Sequence, residues 1–534
     1  MQKAKGMDAT LYCTLIVNPT FILERPGLPI LILVTMSVSI LNHVLGPIMR
    51  GPSSSHSAAA LRIGRIARDL MKGKLTEVDV LYDPNGSLVT THKSQGSDMG
   101  LYGGLLGWEA DDPRLLDYEK HMADAGIRVS THYVSYGADH PNMYYLQLKG
   151  EGGDARTLTA ISVGGGMIEV QKLDDTQVSL TGGSHVLFDA ASGLLVSEST
   201  APIPNEVVES TQDPRILEPV IPVLDCKDEL PFTNCAEMVA HGKDNTLDLA
   251  NLAIAYESAR SGMDSEAIRD QVRRVMAVMR DAVENGRKGT EYEDRILPSQ
   301  VGGFQEERKR GRMVGGDPMK DVIEAVTAAL ETKSAMGPIV AAPTAGSSGV
   351  VPGTLFGVTR GLGDVDDDQL VDALLVAGVI GMFIARGATF SAEEGGCMAE
   401  CGSASSMMAA AIAHLRGGTT EESVCAATLA LQNSFGMVCD PIGNRVEAPC
   451  LGKNTMAAMN ALSSVNMALA GYQHLVPFDE VVQAMDEVGH ALPRELCCTG
   501  LGGLATTPTA QKIEARINGS CVSCPSQQGS AVEA

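Results

Sequence analysis

Two hydrophobic periods divide this chain. In SHSAAALRIGRIARDLMKG, which begins at Ser55, Ala, Leu and Ile keep one helical face with Arg and Lys opposite. A Ser cluster precedes the run, so a capped amphipathic helix is predicted. VDVLYD, RVSTHYVSY and MYYLQLKG alternate instead with the period of half-buried strands. Residues 36–171 are therefore expected to form an α+β domain. Residues 172–227 are rich in Asp, Ser, Thr and Pro with no sustained period, which predicts a connector or a minor subdomain. From 228 the text turns to long Ala-, Met- and Gly-rich helices such as MKDVIEAVTAALETKSAM, LVDALLVAGVIGMFIARG and NTMAAMNALSSVNMALAGY. Several are apolar nearly all round, so residues 228–515 should be a mostly α-helical assembly with buried central helices, followed by a polar tail over 516–534. No repeat of 20–50 residues is present.

The stretch from Pro26 to Met49 lacks Asp, Glu, Lys and Arg and raises the question of a membrane span. Pro29 interrupts it, Ser37, Ser39, Asn42 and His43 dilute its second half, and a serine-rich loop follows at once. A folded, non-membrane segment is expected, with residues 1–35 an extension or a mis-assigned start. The net charge of −24 repels phosphate backbones and anionic lipid, so neither nucleic acid nor membrane is an expected partner. Twelve Cys in 534 residues are too sparse for a secreted disulfide framework. A reducing, cytoplasmic setting fits them better.

Cys397 lies in EEGGCMAECGSASSM, and Cys439 and Cys450 bracket CDPIGNRVEAPC. Gly and Pro around these thiols suit an iron–sulfur cluster better than a redox disulfide, since no C-x-x-C opens a helix there. Three thiolates would leave one iron open as a Lewis acid. Buried, inert cysteines remain the alternative, and Cys235 and Cys425 are read that way. Cys521 and Cys524 form a lone C-x-x-C that zinc could use.

Two loops could hold an anionic substrate. Gly51-Pro-Ser-Ser-Ser-His56 sets the Ser53, Ser54 and Ser55 hydroxyls and an imidazole at a helix start, where a carboxylate fits; an extended cap with a surface His is the plainer reading. Ala342-Pro-Thr-Ala-Gly-Ser-Ser-Gly349 presents Thr344, Ser347 and Ser348 without the ending of a nucleotide P-loop. Such a loop also cups the phosphate of pyridoxal phosphate, which makes Lys333 or Lys453 a Schiff-base alternative; each is otherwise a solvated helix lysine. His140 and Asn142 lie in a His-Pro-Asn turn.

Together GPSSSH at 51–56, HPN at 140–142, AAPTAGSSGVVPG at 341–353, AEEGGCMAECGSAS at 392–405, VCDPIGNRVEAPC at 438–450 and GLGGLATTPT at 500–509 resemble the iron–sulfur-dependent L-serine dehydratases, with β-type and α-type segments fused. The resemblance spans about 36–171 and 228–515. It implies a [4Fe–4S] cluster on Cys397, Cys439 and Cys450, and a first domain similar to the allosteric substrate-binding domains of some phosphoglycerate dehydrogenases. It also implies an L-serine ammonia-lyase that yields pyruvate and ammonia in amino-acid catabolism and gluconeogenesis. His56 or His140 would be the base, with Ser53, Ser54, Ser55, Asn142, Thr344, Ser347 and Ser348 around the substrate. A homo-oligomer, with a dimer the first expectation, is implied as well. The chain departs from the pattern where Ser94-Gln-Gly-Ser-Asp98 replaces Gly-His-Gly-Thr-Asp, so Gln95 stands in place of an imidazole and His92 could reach the same space. Ser57 replaces a Thr. The segment after 171 is short for a regulatory ACT domain, and Cys521 or Cys524 would be the tail cysteine that some members place on the open iron. Threonine dehydration, cysteine desulfuration and a non-catalytic amino-acid sensor are the alternatives.

Overall fold

A computed structural model of the protein describes residues 37–224, 229–293, 295–362 and 365–519. Its strands are β1 (Ile48–Met49), β2 (Leu75–Tyr82), β3 (Arg128–Tyr133), β4 (Met143–Gly150), β5 (Ala155–Gly164), β6 (Met167–Leu173), β7 (Thr176–Leu180), β8 (His185–Asp189), β9 (Leu194–Ser199), β10 (Pro214–Leu217) and β11 (Ile339–Val340). Six of them make a mixed sheet of order β3-β2-β4-β5-β6-β7, in which only β2 and β3 run parallel. The α/β region and the helical region that follows agree with the expected fold class.

The helix Ala59–Asp69 lies on this sheet and packs closely on the helix Ser97–Leu105. Its inward Ala60, Ile63, Ile66 and Ala67 join Val78, Val80 and Leu146 in one apolar core. The two helices touch backbone to backbone: a Cβ on Gly104 would stand 2.0 Å from Leu61 O, and one on Gly100 would stand 1.9 Å from Ser57 O. Glycine is required at these crossings, and the contact at Ser57 sets the serine-rich loop against Gln95–Asp98.

Residues 172–227, expected as a connector or a minor subdomain, contain strands. β7 extends the large sheet, and β10, β8 and β9 form a second, antiparallel sheet. Strands of four to six residues, cut by Gly, Asp and Pro, leave too short a run for a period to register.

In the helical region the helix Asp367–Gly387 runs through the core. Among the described residues it alone is long and apolar enough to cross a membrane, and 78% of its apolar window is buried by the protein itself. The turn Ile40–Val44, from the second half of the charge-free run, docks on it, with Ile40 and Val44 fully buried. Ser39 Oγ and Ile40 N–H donate to buried Glu257 at 2.8 and 2.9 Å, and Glu257 is paired with Arg260. This segment is core packing, and residues 26–36 of the run lie outside the described residues. β1 pairs with β11, which ties the approach to the serine loop to the approach to the PTAGSS loop.

Candidate active site and metal centre

GPSSSH closes into a buried turn, Ser54–Ala58, that feeds the helix Ala59–Asp69. Ser53 makes no capping bond to the backbone. Its Oγ lies 3.0 Å from His56 Nδ1, while His56 Nε2 lies 2.8 Å from Thr91 Oγ1. His56 is fully buried, which excludes the surface-histidine reading. Burial lowers its pKa, a pull opposed by Glu393 and reinforced by His92. Ser54 Oγ accepts from Ala345 N–H at 3.3 Å and joins this loop to the next. Ser55 is buried beside them.

In the second loop Thr344 caps the short turn Ala345–Ser347. Its hydroxyl also donates to Glu400 Oε1 at 2.7 Å. Ser347 and Ser348 hydroxyls are turned inward: Ser348 Oγ donates to Ala345 O at 2.8 Å, and Ser347 Oγ lies within 3.5 Å of Thr344 Oγ1, Thr344 O and Ala342 O. They brace the loop. The absence of a side chain at Gly346 admits the Glu400 carboxylate, since a Cβ there would lie 2.4 Å from Oε1.

The helix Ala392–Cys397 delivers three groups at once. Glu393 Oε1 is 3.4 Å from His56 Nδ1, Glu394 Oε1 is 3.2 Å from His140 Nε2, and Cys397 ends the helix. Gly396, at φ 65°, turns the chain so that Met398 N–H bonds Met437 O at 3.0 Å, which brings Cys397 beside the segment carrying Cys439. The His140 ring is committed on both sides, because its Nδ1 accepts Asn142 N–H at 3.1 Å. Asn142 is fully buried; its Oδ1 accepts from Ser87 Oγ, and among the described residues its Nδ2 has no partner.

Cys397, Cys439 and Cys450 are all buried and all unpaired. The ligand atoms of Cys397, Cys439 and Glu400 lie within 4.8 Å of one another. Cys450 opens the helix Cys450–Leu469, and one turn later Lys453 Nζ stands 3.8 Å from Cys397 Sγ. Contact with Cys397 and Cys498, together with burial, pushes the Cys439 thiol well up; burial and Cys397 do the same to Cys450. Burial likewise raises the Glu400 carboxyl to about 7. Buried thiols beside a carboxylate, each disfavouring charge on its neighbours, fit a metal cofactor, which would discharge that repulsion.

Several functional positions are not apparent from sequence. Cys498, 3% exposed, touches Cys439, and its backbone N–H bonds Cys439 O at 3.0 Å. Gln95 Nε2 lies 3.3 Å from Cys498 Sγ, so Gln95 reaches the thiol cluster. His92 does not take the place of the missing imidazole: its ring bonds Asp98 Oδ1 at 2.7 Å and Tyr133 OH at 2.8 Å. The lysines are not solvated either. Lys333 is 1% exposed and donates to Val446 O, and Lys453 Nζ donates to Val438 O and Asp440 Oδ1, each at 2.6 Å. Glu400 and the Glu393-Glu394 pair stood in the quoted motif, but nothing there assigned them partners. Cys425 donates to Tyr472 O, apart from the thiol cluster, and Cys521 and Cys524 lie outside the described residues.

Residues 244–505 match the family described as serine dehydratase alpha chain. The probable L-serine dehydratase alpha chain of Bacillus subtilis is 39% identical over 288 residues, 54% of this chain and 96% of its own length. L-serine dehydratase of Streptomyces coelicolor is 30% identical over 492 residues, 85% of this chain and 96% of its own. L-serine dehydratase 2 of Escherichia coli is 28% identical over 477 residues with the same two coverages, 85% and 96%. With an α/β region and the alpha-chain region joined in one polypeptide, the chain belongs to the serine dehydratase family that its motifs resemble.

Proposed function

We propose that the protein is an L-serine ammonia-lyase whose metal cofactor is a [4Fe–4S] cluster on Cys397, Cys439 and Cys450. One observation carries the reading: a buried imidazole, His56, is set against the same short helix that delivers Cys397 to the thiol pocket. When bound, such a cluster supplies a Lewis-acidic iron that eases departure of a hydroxyl group at neutral pH.

The chain's own residues do the remaining work. His56 takes the α-proton of serine, the C–H electron pair becomes the Cα–Cβ double bond as hydroxide leaves Cβ, and the imidazolium returns its proton to that oxygen to give water. A positioned base of this kind contributes roughly 10²–10⁴-fold. The aminoacrylate tautomerises to an imine and hydrolyses to pyruvate and ammonia. His140 has no free ring nitrogen and instead anchors the His-Pro-Asn turn to Glu394. Asn142 Nδ2, buried and unpartnered among the described residues, is the donor available to the substrate carboxylate, together with the Ser53–Ser55 loop. Thr344, Ser347 and Ser348 shape the wall opposite. Burial of His56, Asn142, the Ser53–Ser55 loop, Thr344, Ser347 and Ser348 limits the access of water to the reacting proton.

All eight described cysteines are unpaired, which supports a reducing, cytoplasmic setting. Exposed Leu469, Tyr472, Leu475 and Val476 at one helix end support a homo-oligomer. An anaerobic assay of the purified protein tests the function: L-serine should give pyruvate and ammonia in equal amounts, faster than threonine gives 2-oxobutyrate or cysteine gives sulfide. Faster turnover of cysteine or threonine would transfer the activity to that substrate, and no turnover of any would leave a sensor.

A further inference from the structure

Thr91 determines which nitrogen of His56 carries the proton. Its Oγ1 lies 2.8 Å from Ser87 O, a carbonyl that only accepts, so the single hydroxyl hydrogen is committed there. The same oxygen lies 2.8 Å from His56 Nε2 and has only lone pairs left to offer. Nε2 therefore donates, and neutral His56 is the Nε2–H tautomer. Its Nδ1 lone pair faces Ser53 Oγ at 3.0 Å and Glu393 Oε1 at 3.4 Å.

A lone pair aimed at a carboxylate is unfavourable until a proton arrives between them. From then on the contact is a buried ion pair. Glu393 is itself held, since Ser391 Oγ donates to its Oε2 at 2.8 Å. With Thr91 leaving Nδ1 of His56 as the proton-accepting atom, we infer that Glu393 is a positioning residue that stabilises the imidazolium formed when the α-proton transfers to it. The inference rests on the lyase reading for the origin of that proton, and on hydrogen-bond direction alone for the choice of atom.

The groups facing the ring are few. Glu393 approaches from the helix Ala392–Cys397, and His92 from the end of the helix Leu88–Thr91, where it is bound to Asp98 and Tyr133. Burial and His92 oppose charge on His56, and Glu393 favours it. Replacing Glu393 by a neutral isostere therefore moves the ring's titration to lower pH.

The test uses the holoenzyme labelled with ¹⁵N-histidine, with the His56 signal identified by its loss in His56→Gln. We expect a protonated Nε2 and a bare Nδ1, and a titration displaced to lower pH in Glu393→Gln. A proton on Nδ1, or an undisplaced titration, overturns the proposal whether or not serine is the substrate. In turnover, Glu393→Gln should lower kcat on the order of 10²-fold with KM within about threefold. The acid limb of kcat/KM should shift to lower pH and the isotope effect with α-deuterated serine should rise, while Glu393→Asp restores part of kcat. Iron and sulfide content reports that the variants fold. A loss confined to KM, or an Asp variant no better than Gln, contradicts a positioning role. Wild-type protein that makes no pyruvate from serine refutes the lyase reading instead, and the nitrogen spectra still decide the role of Glu393.

Discussion

Replacing Lys453 by Met tests whether buried cations hold the metal centre together. Lys453 Nζ lies 3.8 Å from Cys397 Sγ and 2.6 Å from Asp440 Oδ1, and its side chain is 16% exposed. At an effective dielectric of about 20, unit charges at that sulfur distance attract by about 4 kcal/mol. Partial exposure reduces this to about half, or roughly a 30-fold change in metal retention. The same substitution strips Asp440 of its cation, and breaking a pair this buried costs about 3 kcal/mol of fold stability. Two variants separate these effects. Lys453→Met with Asp440→Asn removes the orphaned charge and should recover stability in anaerobic urea melts without recovering metal. Lys453→Arg keeps the charge and should keep most of the metal. Retention is read as iron and sulfide per chain at equilibrium with a ferrous chelator. If the double variant holds metal as tightly as the parent, the ammonium does not stabilise the thiolates and the electrostatic account of this pocket is wrong.

Cys397→Ala, Cys439→Ala and Cys450→Ala should each abolish bound iron, visible absorbance and activity, whereas Cys425→Ala, whose thiol bonds Tyr472 O apart from the thiol cluster, should keep all three; a coloured, active Cys439→Ala protein would defeat the ligand assignment. Gln95→Ala should lower kcat/KM for serine about tenfold by freeing the Cys498 thiol, and an unchanged profile for serine, threonine and cysteine would put this loop outside the site. Burial, then Arg260 and Arg62, depress the His43 pKa to about 3, so the unfolded chain binds the extra proton first as pH falls. Stability from this group is complete above pH 6.5 and declines between 6.5 and about 3. His43→Gln should therefore flatten the loss between pH 7 and pH 5 by about 1–2 kcal/mol in urea melts.

The sequence carries the site well where chemistry requires unusual residues close together. Thiols flanked by Gly and Pro, and a triple serine ending in His, leave few other uses for such text, and the structure sets His56 against Glu393 on the short helix that ends in Cys397. It carries poorly whatever depends on burial of ordinary residues. Lys333 and Lys453 sit at helix positions that read as solvated, and only the fold reveals that one faces Val446 O and the other a thiol. Glu393 and Glu394 look alike in the text, yet consecutive helical positions point in different directions, so each meets a different histidine. Cys498 lies 59 residues beyond Cys439, and no local spacing signals their contact; the backbone bridge between the two segments creates it. Strands β7 to β10 were hidden because a period needs length to show, and theirs is four to six residues.

His56, the proposed base, and the thiols come from regions that fold by different rules, a mixed sheet and a helical bundle. The site therefore depends on how firmly those regions are joined. Besides the contact of Gln95 with Cys498, four joints meet near the site: β1 pairs with β11, Ser54 bonds Ala345, His56 meets Glu393, and His140 meets Glu394. Two of these four are histidine–carboxylate contacts whose strength varies with protonation, and both fall on the turn that ends in Cys397. On the proposed reading, a proton moving onto His56 strengthens the bond between the regions during catalysis. The two consecutive glutamates before Gly395 and Cys397 then divide the work: Glu393 faces the proposed base, and Glu394 holds the His-Pro-Asn turn through His140.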